Sequence, residues 1–183
     1  MVAIDGTGTF RFSERHCDYC LTVTHGDKTQ YYHNVLEAKL VTPSGFSFSL
    51  MTEFIENGPT DSPSKQDCEL KAFYRLIKSL KKRFKRLPIC LLLDGLFANG
   101  NVFGLCRATS WPFIITLKDD QLKTINQEFD HLRELQSENQ FTRKLGKHKQ
   151  ITQNYSWVND IGFTDSTQNN HYIEHRRTAP SCV

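Results

Sequence analysis

A mixed α/β fold is predicted by three features: two short apolar runs that each end on Asp-Gly, a hairpin marked by Pro43-Ser44-Gly45, and a long amphipathic helical stretch ahead of the second run. Val2-Ala3-Ile4-Asp5-Gly6-Thr7 and Ile89-Cys90-Leu91-Leu92-Leu93-Asp94-Gly95 read as buried strands. Each delivers a carboxylate to the end of a sheet, where the glycine lets the backbone turn away. A single Asp-Gly is ordinary turn chemistry. Two at matching strand ends make a hard, oxygen-lined site for Mg²⁺ or Mn²⁺, with Asp5 and Asp94 as its ligands.

The remaining elements follow in chain order. Tyr31 to Pro43 and Phe46 to Phe54 are rich in β-formers and form an antiparallel hairpin through Pro43-Ser44-Gly45. Residues 57–64 carry Gly, Pro, Asp and Ser and read as a loop, after which Ser64 or Asp67 caps a helix running to about Arg86. Leu70, Phe73, Ile77, Leu80 and Phe84 form its apolar stripe. The strand carrying Asp94 comes next, then a short helix from Asn99 to Thr109, an apolar strand from Trp111 to Leu117 and a polar helix from Lys118 to Glu138. From Gln140 onward one strand is expected, Tyr155 to Val158, in an otherwise irregular tail. The expected division is therefore 1–139 as a core and 140–183 as the start of a β-rich insertion with that tail.

At 183 residues the chain suits one domain of ordinary size. A hydrophobic fraction of 38% and a charged fraction of 23% belong to a polar globular protein. No apolar run approaches the ~20 residues of a membrane span, and the N-terminus lacks the basic-then-apolar order of a signal peptide, so a cytoplasmic location is expected. The net charge of +3 permits an acidic partner without demanding one.

Six cysteines are scattered at positions 17, 20, 68, 90, 106 and 182, unlike the framework of a small secreted domain, and reduced thiols are expected. The segment His16-Cys17-Asp18-Tyr19-Cys20 stands apart. Its Cys17 and Cys20, with His25 and His33 following, have zinc-ligand types at zinc-ligand spacing, against which stands an unmetallated hairpin. Lys71, Arg75, Lys78, Lys82 and Lys85 form a basic stripe that either meets DNA phosphates or is the solvated face of the helix.

A crossover by the 67–86 helix that sets strand 89–93 parallel to the first strand brings Asp5 and Asp94 to one sheet edge. That is the layout of the ribonuclease H-like fold. Val-Ala-Ile-Asp-Gly-Thr-Gly-Thr-Phe, the His-Cys-x2-Cys and Tyr-Tyr-His segments, Gln-Asp-Cys-Glu and Leu-Leu-Asp-Gly-Leu-Phe-Ala-Asn together resemble the catalytic core of insertion-sequence DDE transposases that carry a β-rich insertion. The resemblance covers about residues 1 to 160. It implies two divalent metals, Mg²⁺ or Mn²⁺, held by three acidic residues for in-line attack on a phosphodiester, with Asp5 and Asp94 as the first two acids. It also implies transposon-end and target DNA as partners, and a homodimer in the full-length form.

The chain departs from that pattern at the third acid. A late Tyr-x2-Arg-x3-Glu-x6-Lys helix is absent: Tyr172-Ile173-Glu174 lacks the arginine, and Arg133 has Ser137 where the glutamate belongs. Glu128, Glu134 and Glu138 are the nearest substitutes. A truncated transposase core follows as the expectation, unable by itself to cleave or join DNA; the alternative is a non-catalytic nucleic-acid-binding or interaction remnant. An actin-like phosphotransferase, faintly suggested by Asp5-Gly6-Thr7-Gly8-Thr9, needs two large domains. A haloacid-dehalogenase-like site needs an aspartate where Ala3 stands.

Overall fold

The first strand, β1 (Val2–Phe12), runs straight through the Asp5-Gly6 pair, in a computed structural model that describes residues 1–58, 66–118, 121–145 and 151–182. This corrects the expectation that Asp5 ends its strand. The cause is a long ladder: β1 pairs antiparallel with β3 (Lys28–Val41) from Val2↔Leu40 to Phe12↔Tyr31. The slack that glycine gives is used instead at a bulge between Gly8 and Phe10.

On its other edge β3 takes β2 (Leu21–His25) and then β4 (Ser47–Ile55), both antiparallel. The hairpin expected at Pro43-Ser44-Gly45 is present. Gly45 takes φ +87°, open to glycine at little cost, and the Thr42 hydroxyl accepts from the Phe46 N–H at 3.1 Å. β5 (Leu91–Leu93) joins β1 in parallel, and β6 (Phe113–Ile115) joins β5 in parallel. The strand order is β2-β3-β1-β5-β6, with β4 on β3.

Helix α1 (Glu69–Arg83) connects the hairpin to β5, and α2 (Gly100–Thr109) connects β5 to β6. Ala72, Phe73, Leu76, Ile77 and Leu80 bury the apolar face of α1, with the Phe73 ring 4.7 Å from that of Phe97. α1 is shorter than expected at both ends. Its N-cap is Cys68, which makes no side-chain cap bond, and Asp67, expected as a cap, turns its carboxylate to Arg75 instead; Ser64 lies outside the described residues. Beyond Arg83 the chain heads into Leu87-Pro88, and the residue before a proline is steered away from helical backbone.

The chain divides into two compact units, Met1–Phe97 with Gly104–Thr116, and Ala98–Phe103 with Leu117–Val183. The boundary expected at 139/140 therefore falls earlier. α3 (Lys123–Leu132) is the reason: its Ile125 and Phe129 form one buried cluster with Val158 and Ile161 of β8 (Ile151–Thr164). The expected 118–138 helix is cut to this length by Leu122, left-handed at φ 45°, and by turns that follow Leu132. β8 is flanked by β7 (Gln140–Leu145) and β9 (Asn170–Cys182) in an antiparallel meander, so the tail read as irregular is regular sheet. In its turn, His171 and the N–H groups of Asn169 and Thr167, with the Thr167 hydroxyl, hold the Asp165 carboxyl below the usual range. Among the described residues, no helix is long and apolar enough to cross a membrane.

Candidate functional site

Parallel pairing of β1 with β5 sets Val2 opposite Leu91 and Ala3 opposite Leu92, and two more steps along each strand bring Asp5 level with Asp94. Both residues are exposed. Asp94 follows the last residue of β5, and its carboxylate accepts from the Leu96 N–H at 3.0 Å, opening a tight turn over Gly95–Phe97. Asp5 accepts from the Gly6 N–H at 2.9 Å. One acid thus sits within the β1–β3 ladder, opposite Glu37, the other just past a strand end in a turn that its own carboxylate holds.

A third carboxylate joins them, and it was not among the residues expected. Glu69 is the first residue of α1, where an anion is favoured by the helix N-terminus. Its carboxyl is pushed up from the ordinary value, first by partial burial and then by the charges of Asp94 and Asp5. A Cβ at position 6 would collide with that carboxyl group, so Gly6 serves close approach by Glu69 rather than a turn. The charges of Asp5 on β1 and of Asp94 at the end of β5 therefore both reach Glu69 at the start of α1. The sequence signal was there in Gln-Asp-Cys-Glu: an acid opening an amphipathic helix directly after a loop. Glu128 lies in α3 and Glu134 and Glu138 in the turns after it, all within the other unit.

The sulfur and imidazole groups make a second cluster. His16, Cys17, Cys20 and His33 each offer a ligand atom, all within 4.8 Å of one another. The two Sγ atoms lie 3.4 Å apart, and His33 Nε2 is 3.4 Å from Cys17 Sγ, 3.7 Å from Cys20 Sγ and 3.2 Å from His16 Nε2. This group could hold a metal. His25, expected as a ligand, is not part of it: it closes β2 opposite Lys28, at the far end of the β2–β3 ladder from Leu21↔Tyr32. His16 takes its place. Burial and the adjacent Cys20 push the Cys17 thiol up, against which the backbone N–H groups of Tyr19 and Cys20 pull down. Cys17, Cys20, Cys68, Cys90 and Cys106 are all unbridged.

The basic stripe is divided in use. Arg75 is held by Glu53 at 2.6 Å, Asp67 at 2.7 Å and the Phe54 carbonyl at 2.8 Å, which raises its own pKa still further. Lys71 donates to the Gln66 carbonyl at 3.0 Å. Lys81, beside the stripe, donates to the Thr109 carbonyl and lies over the Trp111 ring. Lys78 and Lys82 are exposed on α1, and Lys85 is exposed beyond its end. Searches of protein-family models, curated proteins and solved structures return no match to this chain.

Proposed function

We propose that the Met1–Phe97 and Gly104–Thr116 unit is a ribonuclease H-like core of the DDE transposase type, with Asp5, Glu69 and Asp94 as its metal-holding acids. The observation that carries this reading is the action of both aspartate charges on Glu69, which supplies the third acid that the sequence pattern lacked. The sheet supports it: β4, β3 and β1 are antiparallel in turn, β1, β5 and β6 are parallel, and helices make both crossovers.

The donor set fits Mg²⁺ or Mn²⁺, being all carboxylate oxygen on three different elements. When bound, such ions activate an attacking water or 3′ hydroxyl and stabilise charge on the phosphodiester. The chain's own groups do the positioning. The β1–β3 ladder, which pairs Asp5 with Glu37, fixes Asp5, the Leu96 N–H orients one oxygen of Asp94, and Gly6 leaves the space that Glu69 enters. Rigid elements suit a site that needs tight geometry. DNA would be gathered by the exposed Lys78, Lys82 and Lys85 rather than by the engaged Arg75.

The test is nicking of supercoiled plasmid by the purified chain in Mg²⁺ or Mn²⁺. Metal-dependent nicking is expected, and Asp5→Asn, Glu69→Gln and Asp94→Asn should each abolish it while leaving the fold intact by circular dichroism. Nicking that survives Glu69→Gln would remove Glu69 from the site. DNA binding with no nicking, and a melting temperature indifferent to Mg²⁺, would favour the non-catalytic binding remnant.

A further inference from the structure

We propose that His16, Cys17, Cys20 and His33 form a closed, four-coordinate structural zinc site. The geometry is that of a tetrahedral shell. With Zn–S near 2.3 Å and Zn–N near 2.05 Å, the edges of a tetrahedron come to ~3.8 Å for S–S, ~3.6 Å for S–N and ~3.3 Å for N–N. The chain places the sulfurs 3.4 Å apart, His33 Nε2 3.4 and 3.7 Å from the Cys17 and Cys20 sulfurs, His16 Nε2 3.8 Å from the Cys20 sulfur, and the two Nε2 atoms 3.2 Å apart, with all four ligand atoms within 4.8 Å of one another. The S–S separation is well beyond the ~2.05 Å of a disulfide, so the two thiols are gathered without being bonded.

Soft sulfur with imidazole selects zinc over the hard ions that carboxylates prefer. Four protein ligands fill the shell and leave no position for water or substrate, which makes the site structural. Its surroundings hold the same loop from outside. Arg15 donates to the Cys17 and Asp18 carbonyls at 3.1 Å, and the buried Asn57 donates to the Cys20 carbonyl at 2.9 Å. Asn57 also accepts from the Asp67 N–H at 3.1 Å, two residues before Glu69. The site therefore ties the loop after β1 to β3 and braces the approach to α1. Phe10, which pairs with His33, stands five residues beyond Asp5 on β1, ~17 Å at the usual rise of a strand. The inference is thus independent of the carboxylate reading.

Zinc analysis of the purified 183-residue chain after dialysis should give one ion per chain. Replacement by Co²⁺ should produce the intense visible bands of a tetrahedral ion together with sulfur-to-cobalt charge transfer. His25→Ala should keep both signals. Cys17→Ser and His33→Ala should lose them, and His16→Ala, whose side chain is exposed, tests the fourth ligand without disturbing the core. Removing zinc with a chelator should lower the melting temperature of the intact chain. Absence of stoichiometric zinc, loss of zinc in His25→Ala, or an octahedral cobalt spectrum would overturn the site. Zinc that leaves the melt unchanged would overturn its structural role.

Discussion

Glu69 holds its charge at a cost in this protein. Its carboxyl is raised by burial and by the two aspartates, so the folded state binds its proton more tightly than the unfolded chain does. The stability it lends is complete below the unfolded value and is lost as pH rises through the raised folded one. Glu69→Gln should therefore raise the melting temperature of the metal-free protein at neutral pH, with the gain vanishing in acid. Mg²⁺ should reverse the order: binding at ten times Kd adds about 1.4 kcal/mol to the wild type and less to the variant. A variant melt that tracks the wild type with and without Mg²⁺ at every pH would show that Glu69 does not share the aspartates' site. Gly6 offers a second test at this scale. Gly6→Ala should push the Glu69 carboxyl, the movable end of its side chain, out of its place at small cost to the metal-free protein, and should weaken the stabilisation by Mg²⁺. A Gly6→Ala melt that gains as much from Mg²⁺ as the wild type would mean the two positions do not meet. Asp5 and Asp94 could be picked out as candidates because each closes an apolar run. Glu69 was not, since its partners come from strands distant in sequence and only the sheet brings them to the helix start.

Among the elements, α1 shows what pattern conveys and what it omits. Its apolar stripe was readable because period 3.6 depends only on local order: Phe73, Ile77 and Leu80 of it are buried, joined by Ala72 and Leu76, while Leu70 and Phe84 at its ends are half-buried. Its cap was misread because Asp67, a good capping residue, is drawn away by Arg75 eight positions on. Burial opposes ionisation of Asp67, but the hydrogen bonds and charge of Arg75, with the Cys68 and Glu56 N–H groups, outweigh it and hold the carboxyl low. The stability this lends is present above the ordinary value of 3.8 and is lost as pH falls through the lower folded one. Arg75→Ala should cost about 1–2 kcal/mol, because it leaves Asp67 half-buried and unpaired and frees α1 from the Glu53 and Phe54 contacts on β4. Urea denaturation checks it. A loss unchanged between pH 7 and pH 3 would mean that the Asp67 pair contributes nothing.

For the molecule as a whole, five of the first six strands, all but β2, and two helices were largely legible, since short apolar runs separated by turn residues leave few topologies. The second unit was not, because its meander is built from strands rich in Thr, Asn, Gln and Ser whose buried positions are few, Val158 and Ile161 among them. Charge is the remaining property at this scale. A net +3 is too small to bind DNA by bulk attraction, so the DNA affinity that the proposed function requires must come from where the cations stand. Each lysine that reaches a phosphate releases counterions and steepens the salt dependence of binding by about one in the log–log slope. Lys78→Ala and Lys82→Ala should each reduce the slope by that amount, as both are exposed on α1. Arg75→Ala should leave it unchanged, because Asp67 and Glu53 already neutralise that guanidinium. Fluorescence anisotropy with a short duplex across a salt series measures all three. A slope that falls for Arg75 as much as for Lys82 would mean that the Asp67 pairing opens on DNA. A slope indifferent to Lys78 and Lys82 would return that face of α1 to solvent.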